Sequence, residues 1–320
     1  MLWIVIAVTL ALLAGLIYLP MARLPGKTLA VAQAAYRETV RQPLFWFLLI
    51  FSTFFMALLV FLQYFTFGED IKMMKELDLN AILLPTLLLT IFTASITIAE
   101  EIEGRTAITL MSKPVSRRHY LLGKFFGILA AALLMTLLLS LLMGWMITVK
   151  YDLDPQVERP PNYQIPKEID DFGRVFNFLP IWAVQAGSYV LFIFAEMQNM
   201  APGVVLNFCQ VMILTAVSVA LATRLPMVVN LVICLVVFFM GRLTHVLESQ
   251  AGGNALVKFV AQVFGTIFPG LNYFEVGVPL ASDVTVPWRD YVLHAGVHGV
   301  IYTTIALLFG LILFEDRDLA

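Results

Sequence analysis

Three groups of residues have the types and spacing that could do chemistry. Asp290, His294 and His298 recur every four residues, and two histidines four apart on a helix is a metal-ligand spacing. No glutamate follows His294 and no further strong ligand is close in sequence, so the zinc-protease pattern is missing. The plainer reading is a polar face at the mouth of a helix. Gly26-Lys27-Thr28 has the closing residues of a phosphate-binding loop. That loop needs a glycine five positions before the Gly-Lys pair and a preceding strand; the position is Met21, and an apolar run comes before it. The third group is Glu100–Lys124, with Glu100, Glu101 and Glu103 followed by Arg105, Lys113, Arg117, Arg118 and Lys124. A stretch this charged cannot lie in hydrocarbon and belongs at a membrane face. No Ser/His/Asp order, paired-carboxylate pattern or basic-aromatic nucleic-acid surface stands out, so the chain is expected to have no catalytic site and no nucleic-acid partner.

The elements around these residues are dictated by composition. Of 320 residues, 60% are hydrophobic and 13% charged, against about 45–50% and about 25% in soluble domains. The chain therefore reads as an all-α polytopic membrane protein. Cys209 and Cys234 both lie in apolar runs, which disfavours a disulfide framework. Residues 1–20 are apolar with no basic start and no small-residue cleavage site, and read as an uncleaved N-terminal transmembrane helix. Residues 21–43 carry Arg23, Lys27, Arg37 and Arg41 and suit a basic amphipathic helix on the membrane surface. The first three core spans fall within 44–149, on either side of the charged stretch 100–124. Thr86, Thr90, Thr93, Ser95 and Thr97 give the second of them a hydroxylated face, read as helix packing. Gly123 and Gly127, four apart, favour a close helix contact.

Residues 150–202 read as an extracytoplasmic loop, broken by Pro155, Pro160, Pro161 and Pro166, with an interfacial helix over 178–195. The last three spans fall within 203–320. There a tight Thr223-Arg224-Leu225 turn, a re-entrant segment at 255–268 and a charged tail are expected. Glu196, His245 and Glu248 fall near span boundaries, where ionisable groups are ordinarily solvated, and the spans themselves carry almost no charge. Sidedness follows from the bases. One side gathers 11 Lys and Arg against 7 acids in a few short loops, the other 9 against 15 over far more residues. Base-rich short loops mark the cytoplasm, so the charged stretch and the C-terminus are placed there and the N-terminus outside.

With that topology, Glu100–Lys124 resembles the segment between the second and third core helices of type-2 ATP-binding-cassette (ABC) permeases. The residues that carry the likeness are Glu103, Gly104, Thr106, Pro114, Arg117 and Gly123-Lys124, with Arg105 between the Gly and Thr that are adjacent in many members. The likeness extends to the basic helix before the first core span and to a Phe-x-x-Arg-Asp ending (Phe314, Arg317, Asp318). It implies a six-helix permease core in the bacterial inner membrane, without a cofactor of its own. It also implies a second permease copy, surrounding lipids, and a separate ATP-binding subunit that holds ATP and magnesium. The Glu100–Lys124 residues, Glu101 and Arg118 included, would meet that subunit. Pro114 ends one helix and Ser116 caps the next, opening at Arg117, which makes a charged elbow. The alternatives are an ATPase-independent secondary transporter or a membrane scaffold protein.

Overall fold

The computed structural model describes residues 26–62, 70–103, 116–153, 181–250, 270–282, 284 and 286–315. Among them there is no strand. The main helices are α1 (Gly26–Arg41), α2 (Pro43–Phe61), α3 (Asp70–Glu103), α4 (Arg117–Leu153), α5 (Ile181–Ala222) and α6 (Met227–Gln250). A 3-10 turn at Leu271–Phe274, the short α7 (Gly277–Ala281) and a π turn at Trp288–Val292 precede α8 (Leu293–Glu315). The expected spanning segment at 1–20, the re-entrant segment at 255–268 and the tail with Arg317 and Asp318 lie outside the described residues.

Among the described residues five helices are long and apolar enough to cross a membrane, and Met227–Arg242 is a shorter apolar helix beside them. The chain is a multi-pass membrane protein. The end of the bundle that carries α1 is called proximal and the opposite end distal. The boundary between α1 and α2 is a proline effect. Pro43 stands at the first turn of α2, and Gln42 before it is extended (φ −63°, ψ 136°), because the proline ring disfavours a helical conformation in the preceding residue. α5 and α6 are joined by a turn in which the Leu221 carbonyl accepts from the N–H groups of Arg224 (3.0 Å) and Leu225 (2.9 Å). Six helices thus run back and forth, with the start of α2 and the end of α8 both proximal.

α3 is the central member: 78% of its apolar window is buried, against 33% for α2 and 28% for α8. Four of the five hydroxyls of its polar face are bonded, and Thr97 Oγ1 has no partner among the described residues. Thr86 donates to Ile82 O (2.7 Å), Thr90 to Leu87 O (2.9 Å) and Ser95 to Ile91 O (2.7 Å), while Thr93 reaches Gln42 Oε1 (3.1 Å). Near the proximal ends of α5 and α6, Asn230 of α6 donates to Ser95 Oγ (2.8 Å), Ser218 Oγ (3.0 Å) and Ser218 O (3.1 Å). This amide joins α3, α5 and α6 where water is excluded. Asn230→Leu is expected to lower the thermal midpoint of the purified chain by a free energy of about 1 kcal/mol, the usual worth of such bonds inside membranes. An unchanged midpoint would remove the node from the account of stability.

One element differs from expectation. The sequence predicts a separate interfacial helix over 178–195 and a span from 203, whereas Ile181–Ala222 is a single helix of 42 residues with Pro202 inside it. At 1.5 Å per residue it is roughly 63 Å long, about twice the hydrocarbon thickness. Its apolar crossing is Phe192–Ala222, so residues 181–191 extend the same helix distally. Proline is tolerated there because neighbouring helices shield the backbone it interrupts.

Candidate functional site

The proximal charged cluster grows from the start of α4. Ser116 caps that helix, its hydroxyl accepting from the His119 N–H at 3.5 Å. One turn on, Gly123 and Gly127 bring α1 against α4 at backbone distance. A Cβ on Gly123 would lie 2.6 Å from Val31 Cβ, and one on Gly127 would lie 2.5 Å from the Ala32 carbonyl oxygen and 2.6 Å from Ala35 Cβ. Thr28, Ala32, Ala35 and Thr39 are the buried residues of α1, spaced four, three and four apart as one helical stripe. The opposite face exposes Lys27, Arg37 and Arg41.

Because the two helices touch, Lys124 reaches two carboxylates. Its Nζ is 3.0 Å from Glu38 Oε2 on α1 and 2.7 Å from Glu101 Oε1 on α3. The second oxygen of Glu101 accepts from the Tyr120 hydroxyl. Lys124 is only 4% exposed, so its charge is compensated within the chain. Arg117 is likewise turned inward. Its Nη1 donates to Phe314 O and Glu315 O, both at 2.8 Å, and its guanidinium lies 5.6 Å from the Phe314 ring centre. Arg224 adds a bond from Nε to Leu313 O at 2.8 Å. The last carbonyls of α8, which no helical N–H can satisfy, are therefore held by two arginines.

Of the expected site residues, the structure gathers Glu101, Arg117, Gly123 and Lys124 into one belt that ties α1, α3, α4 and α8. Arg118 points away and is exposed. Glu100 and Glu103 stand in the last turn of α3; Gly104, Arg105, Thr106 and Pro114 lie outside the described residues. Lys124 was expected on a surface for a partner and is instead buried, because Glu38 and Glu101 supply the carboxylates that make burial tolerable. Glu38 and Tyr120 were not foreseen. The only sign of Glu38 was a single acid inside a basic helix.

Asp290, His294 and His298 are not assembled as ligands. A π turn occupies Trp288–Val292, and its wider winding takes Asp290 out of the four-residue register. His298 packs among rings, with centroids 4.7 Å from Tyr302 and 5.7 Å from Tyr273. Among the described residues no three His, Cys, Asp or Glu side chains are grouped as a metal would need.

The distal end holds charges that the sequence placed in solvent. Glu196 of α5 is 0% exposed and its Oε2 is 3.7 Å from Nζ of Lys75, which is 2% exposed. Asp78, one turn along α3, is also fully buried. Lys150 donates to Val60 O and Leu62 O, both at 3.3 Å, closing the end of α2. Asn207 Nδ2 donates to Leu79 O at 2.9 Å, and Arg242 meets Glu275 at 3.5 Å. Between the two ends the spans contain no Asp, Glu, Lys or Arg.

The arrangement can transmit force and can hold polar groups, and at the start of α4 the Ser116 hydroxyl also meets the His119 ring Nδ1. No curated protein matches the chain. Residues 39–158 match the family described as ABC-2 family transporter protein. That segment contains the end of α1 and all of α2, α3 and α4, with Glu101, Arg117 and Lys124. The match covers 120 of the 320 residues, and the helical, multi-pass architecture is of the kind such a transporter protein needs.

Proposed function

We propose that the chain is the permease subunit of an ABC exporter, driven by ATP hydrolysed on a separate subunit that docks at the proximal end. The observation that carries this reading is the belt around Lys124. A displacement applied at the α3–α4 elbow cannot be absorbed locally, because α4 is bonded there to α1, α3 and α8. It passes into the spans. The proximal end is the cytoplasmic face in this reading, since it carries the base-rich short segments. The chain has no ATPase or other catalytic site of its own and works as a dimer with a second permease copy. Arg118, Arg37 and Arg41 are the exposed cations that a partner or anionic headgroups would meet.

The rival, an ion-coupled secondary transporter, would place ionisable groups near mid-membrane. Here the buried charges stand at the two ends, Lys124 at the proximal one and Lys75, Asp78, Lys150 and Glu196 at the distal one, and the spans between them carry no Asp, Glu, Lys or Arg. That distribution favours an external energy source.

The test is stimulated ATP hydrolysis by the co-purified ATPase subunit. Arg118→Glu is expected to reduce stimulation by about tenfold, the effect of one lost charge-assisted contact, with an unchanged thermal midpoint. Lys124→Glu is expected to lower both the midpoint and the stimulation. Full stimulation in Arg118→Glu and Lys124→Glu alike would defeat docking at this elbow.

A further inference from the structure

At the distal end a cleft of about 80 Å³ opens between α3, α5, α6 and α7. Its polar walls are Glu76 and Asn80 of α3, Asn207 of α5, Arg242 of α6 and Glu275, with Gly277 opposite Glu76. The charges are of both signs and are not fully used. Among the described residues no cation pairs with the Glu76 carboxylate. Arg242 contacts Glu275 through Nη2 and stacks 5.1 Å from the Phe238 ring centre, while its buried Nε–H has no acceptor among the described residues. One wall therefore offers a carboxylate with no cation partner among the described residues, and another a guanidinium ion-paired through Nη2.

The cleft continues into apolar surface. Met73, Glu76, Asn80 and Leu84 recur at three- and four-residue spacing along one face of α3, with Leu84 44% exposed. On α6 the corresponding run is Val232, Val236 and Phe239, about half exposed and leading to Arg242. Arg242 ends the apolar part of α6, so the polar pocket lies at the boundary between hydrocarbon and headgroups.

We infer that this cleft binds the head of a zwitterionic phospholipid bearing a primary ammonium, whose acyl chains lie along Leu84 and Phe239. The ammonium donates to Glu76 and the phosphate accepts from Arg242. A purely anionic head would meet two carboxylates, Glu76 and Glu275. A quaternary ammonium cannot donate to either of them. The site goes beyond the proposed function, because binding requires no ATPase and no transport.

The experiment is native mass spectrometry of the purified full chain titrated with phosphatidylethanolamine, phosphatidylcholine or phosphatidylglycerol of identical acyl chains. Wild type is expected to retain phosphatidylethanolamine about tenfold more than either of the others, as one charge-assisted hydrogen bond at each end would give. Glu76→Gln is expected to abolish the preference over phosphatidylglycerol. Gly277→Val adds bulk beside Glu76, where a Cβ would lie 3.4 Å from its Cγ, and is expected to lower retention without a change of charge. Equal retention of the three lipids by wild type overturns the inference, as does an unaltered preference in Glu76→Gln. A disulfide linking two copies in good yield through Leu84→Cys would also overturn it, by showing that this face is covered by a second chain. ATPase stimulation is read separately, so either reading can fail without the other.

Discussion

Gly127→Leu is expected to detach α1 from α4 and to destabilise the chain more than any other single change at the proximal end. The contact is between backbones. A Cβ at residue 127 would already lie 2.5 Å from a carbonyl oxygen and 3.0 Å from the Tyr36 amide nitrogen, and neither can move aside as a side-chain tip would. Overpacking of this kind costs about 3 kcal/mol, and the separation also withdraws Glu38 from Lys124. Hydrogen exchange gives the direct readout: amides of Gly26–Arg41 that face α4 should exchange faster in the variant, with those of α6 unchanged. Gly296→Ala is the control, because no atom lies within 4 Å of the added methyl. Alanine also has the better helix propensity. Native exchange of α1 in Gly127→Leu would mean that the glycine contact does not hold the helix.

The second large effect is expected at the opposite end. Lys75→Met leaves the Glu196 carboxylate fully buried with one compensating charge fewer. Removal of one partner from a buried pair costs about 3–5 kcal/mol, while replacement of both by apolar residues of similar size is often neutral. The double variant Lys75→Met/Glu196→Leu should therefore recover most of the stability lost in Lys75→Met. Thermal unfolding in one detergent tests this through the double-mutant cycle. Additive losses would show that the two charges are independent and that the 3.7 Å approach contributes no coupling.

The crossing helices were legible because hydrocarbon imposes one rule along the whole chain. Each span must be apolar for about 20 residues, and Leu44–Phe61 or Phe125–Val149 satisfy it without reference to anything else. Local geometry was legible for a related reason. The Gln42-Pro43 break, the Ser116 cap and the Gly123–Gly127 contact each depend on residue types a few positions apart. The burial of Lys124 was not legible, since it depends on carboxylates 86 and 23 residues away. Glu196 presented the same difficulty: its position at a span boundary suggested water until Lys75 arrived from another helix. The length of α5 was hidden by Gln185, Gly187, Ser188 and Pro202, which resemble a break in isolation.

The arginine clasp on α8 carries a consequence for how the molecule is made. Arg117 and Arg224 reach carbonyls at residues 313–315, with Arg117 separated from them by 197 and 198 residues. During synthesis both guanidiniums emerge long before their acceptors exist, whereas the acceptor Glu38 precedes Lys124 in the chain. Contacts of such long sequence separation form late, and chains of this size assemble stepwise from the N-terminal side. Biogenesis thus has a natural checkpoint: the α1–α3–α4 corner sets first, and the belt closes only when the final helix is in place. Until then Arg117 and Arg224 are without their α8 acceptors.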